Sequence, residues 1–185
     1  SDRTLELLVE RCSFAAAAGG HIYFPYDDGR YPLHPQDEKK YGGGTKMDAK
    51  RIDALYKAVH AKYPEFKLVF CPPYYAVPDG MGETTYPDNR DEYLKSIGDH
   101  LDPAVQIYWT GPRVAGLAKP KEKRDYFANL IKRNPAIFQN RVRPHNSLSY
   151  ITDTITGWKE WHYDGFVEND ITMFHKNGCS TEATL

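Results

Sequence analysis

The chain has no apolar run approaching the length of a membrane span, so nothing in it reads as a transmembrane helix. It has no excess of one charge. Its 185 residues carry a formal net charge of −1, which argues against nucleic acid as the main partner, because phosphate binding needs a basic surface. Cysteine is scarce: Cys12, Cys71 and Cys179 are odd in number and widely spaced, giving neither a disulfide framework nor a metal-ligand pattern. The seven histidines show no H-E-x-x-H or comparable spacing, so no metal and no other cofactor is expected. No Gly-rich phosphate loop follows the first strand; Gly42-Gly43-Gly44 comes well after it and reads as a flexible loop. No signal-peptide core is present and the chain starts at Ser1, as a processed or cut-out chain would, so the compartment is not read from its start.

What is there is enough apolar residue, 41%, for one domain with a real core. Tyrosine is frequent, at 14 residues; aromatic rings with polar tips suit carbohydrate faces as well as ordinary cores, and the core is the default reading. Apolar spacing predicts helices over Asp2–Ala18, Lys46–Lys62, Asp91–Leu101 and Lys121–Arg133. Between them lie short, largely apolar runs that read as strands: Ile22–Asp28, Lys67–Cys71, Val105–Trp109, Pro135–Phe138 and Gly165–Val167. Arg30–Thr45 and Ala76–Asp88 read as long loops, and long loops of this kind tend to be functional. Tyr150–His162 reads as a short helix or turn, and the tail from Thr172 as the start of another helix. Alternation of helix with near-continuous apolar strands means a parallel sheet covered by helices. Two architectures fit, a (β/α) barrel of the TIM type and an open parallel α/β sheet. Both place sites at the C-terminal ends of the strands.

The first strand reads as buried and ends in Asp27-Asp28, followed at once by Gly29. Alone, such a pair is more often a turn or a helix cap. Neighbouring strand residues point apart, so two adjacent aspartates that do chemistry would have different roles.

The later strand ends change the balance. Tyr26-Asp27-Asp28 is followed in order by Val69–Tyr75, by Tyr108-Trp109-Thr110-Gly111-Pro112-Arg113-Val114, by Phe138-Gln139-Asn140 and by Gly165–Asn169. The series resembles the O-GlcNAcase and bacterial hyaluronidase-like family of β-N-acetylglucosaminidases, glycoside hydrolase family 84. Trp-Thr-Gly-Pro is its most specific piece, and Tyr93–Gly98 looks like the family's preceding helix. The resemblance implies a (β/α)8 barrel of which this chain supplies strands four to eight. A complete barrel takes about 250 residues, so the chain is too short for one on physical grounds as well.

The resemblance also implies a reaction, the hydrolysis of terminal N-acetyl-β-glucosaminides with retention. In it the substrate's own acetamido oxygen attacks the anomeric carbon to give an oxazoline. Asp27 would hold and polarise the amide N–H. Asp28 would protonate the leaving oxygen and later deprotonate water, so it must start protonated. Tyr75 matches the family's pocket tyrosine, and Thr110 shapes the pocket. Asn140 matches an asparagine facing the acetamido group or the acidic pair, and Asn169 one near the sugar hydroxyls. Phe138 stands where the family usually has tryptophan, keeping an aromatic wall without the indole N–H. Arg141–Asn146 lacks the aspartate that binds sugar hydroxyls in the family.

The implied partner is a glycan or glycoprotein bearing N-acetylglucosamine, with neither nucleic acid nor membrane. A five-stranded arc leaves unpaired strand edges and apolar faces, so the chain is expected to associate with itself or with a second polypeptide that completes the barrel. The competing readings are a non-catalytic carbohydrate-binding or scaffold fragment, and an unrelated five-stranded open α/β domain.

Overall fold

The computed structural model describes residues 2–26, 34–80, 89–114, 119–139, 166–168 and 182–183. Five helices and six strands fall within them: α1 (Asp2–Ala17), β1 (Ile22–Pro25), α2 (Pro35–Tyr41), α3 (Gly44–His60), β2 (Leu68–Cys71), α4 (Arg90–His100), β3 (Gln106–Trp109), α5 (Lys121–Ile131), β4 (Ala136–Gln139), β5 (Phe166–Glu168) and β6 (Glu182–Ala183). Two compact units share them, and both β3 and α5 are divided between the two.

In the first unit β1 pairs β2 in parallel, Ile22 opposite Leu68 through Pro25 opposite Cys71, and β2 pairs the first half of β3 in parallel, Phe70 opposite Ile107. In the second, the other half of β3 pairs β4 in parallel and β4 pairs β5 in parallel, Gln139 opposite Glu168. Pairing thus follows chain order with a parallel step each time up to β5. That is the winding of a barrel wall, where every crossover steps the same way. A doubly wound sheet would reverse its order part-way. The final step is different: β6 pairs β5 antiparallel.

The core of the first unit forms where the sequence pattern places it. Ile52, Leu55, Tyr56 and Val59 of α3 and Leu94 and Ile97 of α4 are buried together with all four residues of β2. One polar bond is buried with them: the Tyr93 hydroxyl donates to the Asp48 carboxylate at 3.0 Å. Arg133 ties the end of α4 to the start of β3 by donating to the carbonyls of Leu101, Asp102 and Val105 at 2.9, 2.7 and 2.8 Å. In the second unit Trp109 is fully buried, stacked on Phe127 with ring centroids 5.8 Å apart, and its indole N–H donates to the Val77 carbonyl at 2.9 Å.

Three expectations need correction. Arg30–Thr45 is not wholly loop, because α2 lies within it. That helix buries none of its residues and rests on its ends. Pro35 opens it behind the His34 side chain, which accepts from the Gln36 N–H. Asp37 and Glu38 sit in its first turn and Lys39 and Lys40 in its last, and left-handed Gly42 stops it. The first strand is not buried: Ile22 and Phe24 are half-buried and alternate with exposed residues, Tyr23 at 40%. β1 has β2 on one side, and among the described residues no strand pairs its other edge. The tail contributes β6 at Glu182–Ala183; the rest of the expected tail helix, and Tyr150–His162, lie outside the described residues.

Candidate active site at the strand ends

The pairing of β1 with β2 continues one residue past the strand. The Tyr26 N–H donates to the Cys71 carbonyl at 2.9 Å, and the Tyr26 ring meets Phe70 edge-on with centroids 5.1 Å apart. The backbone is therefore held up to the residue before the acidic pair. Asp27 and Asp28 themselves lie outside the described residues.

In the second unit two of the expected residues are brought together. Tyr75 follows β2 and Thr110 follows β3, and Thr110 donates to the Tyr75 carbonyl twice, from its N–H at 2.9 Å and from its hydroxyl at 3.1 Å. Both residues are buried. The Thr110 hydroxyl also lies 3.4 Å from the Arg113 carbonyl. The hydroxyl thus faces main-chain carbonyls at the strand end. Trp109, beside it, is core.

Gly111 continues the turn with φ at +105°, a conformation that disfavours any residue with a side chain. Gly80 is needed for a different reason, because a Cβ there would stand 2.6 Å from the Arg113 Cα. Beyond the turn Lys119 is buried, 2% exposed, and its ammonium donates to the Thr110 carbonyl at 2.7 Å. Sequence reading passed over Lys119, since a single lysine before Pro120 has no local mark of burial. Asp48 was missed likewise; it occupies the inner face of α3, where a carboxylate is not anticipated without its Tyr93 partner.

Phe138 lies in β4 opposite Val167, and the ladder of β4 with β5 ends on Gln139 and Glu168, one residue before Asn140 and Asn169. Asn140 and Asn169 lie outside the described residues. Among the described residues no group of three His, Cys, Asp or Glu side chains is arranged to hold a metal ion. Two carboxylates with displaced acidity lie on helix surfaces. The hydrogen bond from Lys132 holds Asp99 below the usual carboxylate range, and that from Lys121 does the same for Asp125.

Comparison with known proteins bears on these strand ends. Residues 2–148 match the model of a family described as β-N-acetylglucosaminidase. The chain is 34% identical over 116 residues to the protein O-GlcNAcases of Mus musculus and Rattus norvegicus, a stretch that covers 62% of this chain and 12% of each relative. Among solved structures it resembles a mutant O-GlcNAc hydrolase of Thermobaculum terrenum, with a TM-score of 0.65 at 18% identity, over 82% of this chain and 30% of that one. At that identity the likeness shows a shared fold. The chain spans less than a third of the length of each of these proteins.

Proposed function

Because the chain belongs to the β-N-acetylglucosaminidase family, we propose that it carries the catalytic strand ends of a retaining glycoside hydrolase. The substrate is a terminal N-acetyl-β-glucosaminide, borne by a glycan or a glycoprotein. The observation that supports this most directly is the extent of the family match. Residues 2–148 include Asp27, Asp28, Tyr75, Thr110, Phe138 and Asn140 in one ordered series; Asn169 lies just beyond.

In the proposed reaction the acetamido oxygen attacks the anomeric carbon while the bond to the leaving oxygen breaks. Asp28 gives that oxygen its proton. Asp27, ionised, accepts the amide N–H and stabilises the positive charge that develops on the forming oxazoline. Water then adds to the same face from which the leaving group left, Asp28 takes its proton, and the acetamide re-forms. Two inversions at one carbon leave the configuration retained. Tyr75 supplies a hydroxyl toward the reacting oxygen, Phe138 an aromatic wall for the sugar, and Asn140 and Asn169 amide contacts to the acetamido group and the ring hydroxyls.

The test is release of nitrophenol from 4-nitrophenyl N-acetyl-β-glucosaminide. Asp28→Asn is expected to lower turnover by about two to four orders of magnitude, the usual worth of a positioned acid and base. Asp27→Asn is expected to lower it as well, without removing the dependence on the leaving group. Unchanged turnover in Asp28→Asn overturns the assignment of roles.

A second reading is favoured by the half-exposed β1. In it the chain binds N-acetylglucosamine but completes a working pocket only with a second polypeptide or a second copy of itself. Binding of the sugar with no turnover of any aryl glycoside by the chain alone supports this second reading over the first.

A further inference from the structure

We propose that Lys119 is a positioning residue for the strand-end site, acting through Thr110 on Tyr75; the proposal rests on the functional reading above. A lysine with 2% exposure is costly, since an ammonium loses its water on burial and an apolar side chain would fill the same space at no such cost. Its place explains its presence. The ammonium donates to the Thr110 carbonyl at 2.7 Å. The Lys119 stem fills the space beside Gly111, where a Cβ would stand 3.2 Å from Nζ and 3.4 Å from Cγ. Lysine and glycine are thus fitted to each other.

The clamp acts on a residue already committed on its other side. Thr110 receives the ammonium at its carbonyl and directs both its N–H and its hydroxyl to the Tyr75 carbonyl. Lys119, Thr110 and Tyr75 form one polar chain among groups that are all buried. Charge-assisted bonds in such surroundings are stronger than neutral ones and hold direction better. The lysine is the one charged member of that chain, so removing it loosens the turn from beneath while the packing of Trp109 on Phe127 stays intact. Lys119 touches no reacting atom in this scheme; it fixes where Tyr75 is presented.

Two readouts on the full chain test this. Lys119→Met keeps the stem and removes the donor. Hydrogen exchange at the Thr110 amide is expected to speed up by about tenfold, the effect of losing one charge-assisted bond, while the Ile137 amide in β4 exchanges as before. Lys119→Arg, which keeps a cation, is expected to restore much of the protection. With 4-nitrophenyl N-acetyl-β-glucosaminide, Lys119→Met is expected to lower kcat more than it raises KM. Equal acceleration at Thr110 and Ile137 means a merely structural role and overturns the proposal, as does an unchanged Thr110 amide. A loosened Thr110 with unchanged kcat overturns the link to catalysis. Should Lys119→Met not fold, Lys119→Gln, which keeps a shorter neutral donor, is expected to give intermediate exchange at Thr110; wild-type exchange there overturns the clamp. If the wild-type chain releases no nitrophenol, the functional reading fails while the exchange result still decides the clamp.

Discussion

The Tyr75 carbonyl accepts two hydrogen bonds from one residue, the N–H of Thr110 at 2.9 Å and its hydroxyl at 3.1 Å. A threonine that directs both donors to one acceptor joins the residues after β2 to the end of β3. It also relieves that buried carbonyl of any need for water. Thr110→Val keeps shape and volume and removes only the hydroxyl. The Tyr75 carbonyl then keeps one partner, so the expected loss is about 0.5–1.5 kcal/mol, that of a buried neutral hydrogen bond. Urea unfolding checks it: the midpoint falls at unchanged slope. A valine variant as stable as the wild type would show that the hydroxyl contributes no stability at this strand end.

Gly98 gives a prediction in which two effects oppose each other. It sits inside α4, where alanine is favoured over glycine by about 1 kcal/mol. A Cβ there would stand 2.7 Å from the Leu130 carbonyl oxygen and 2.8 Å from the Ile131 carbonyl carbon. Both are backbone atoms and cannot swing aside. Overpacking of this kind costs about 1–3 kcal/mol, so the close approach outweighs helix propensity. Gly98→Ala is expected to lower Tm by several degrees in a thermal melt, at about 2–4 °C per kcal/mol for a chain of this size. A raised Tm would mean that propensity wins and the contact relaxes.

What could be read from the sequence follows from how local each cause is. Ile52, Leu55, Tyr56 and Val59 recur at helical spacing, and that spacing alone marks α3 and its inner face. Leu68–Cys71 is an uninterrupted apolar run and becomes a strand buried at every position. The helix Pro35–Tyr41 escaped because it has no apolar stripe; its signals are His34, Pro35 and Gly42 at its ends. Ile22–Pro25 is as apolar as β2 and yet half-exposed, because burial depends on a neighbour on each side and the sequence of a strand does not state whether it has one. Lys119 is the clearest case of tertiary information. Its burial is set by the turn at Thr110–Gly111, nine residues earlier, and the residue itself looks like any surface lysine.

The surface carboxylates fix a dependence on pH. The Asp99 carboxyl is held below its ordinary value of 3.8 mainly by the hydrogen bond from Lys132, with the charges of Lys132 and His100 adding to it and burial opposing. A carboxylate whose folded pKa is depressed contributes stability that is fully present above the unfolded value near 3.8. That contribution is lost as pH falls through the lower folded value. Asp125 behaves the same way through Lys121, with Arg124 adding to it. In an NMR titration Lys132→Met is expected to return Asp99 toward 3.8, and added salt to move the wild-type midpoint the same way. An Asp99 midpoint that does not respond to Lys132→Met would show that the ion pair does not persist in solution.

The side of β1 away from β2 yields the last prediction. Its backbone edge has no strand partner among the described residues, Tyr23 is 40% exposed, and Ile22 and Phe24 are only half-buried. A short apolar strand with a free edge is a template for pairing with another chain unless charge or proline blocks it. Pro25 blocks only its last position, and no lysine or arginine interrupts Ile22–Pro25. Sedimentation velocity over a range of concentrations is therefore expected to show reversible association of the isolated chain. Tyr23→Lys places a charge at the exposed position of the edge without removing a buried group. It is expected to shift the equilibrium toward monomer. A chain that stays monomeric at high concentration would show the edge to be closed by some other segment, and would count against the idea that a second polypeptide completes the barrel.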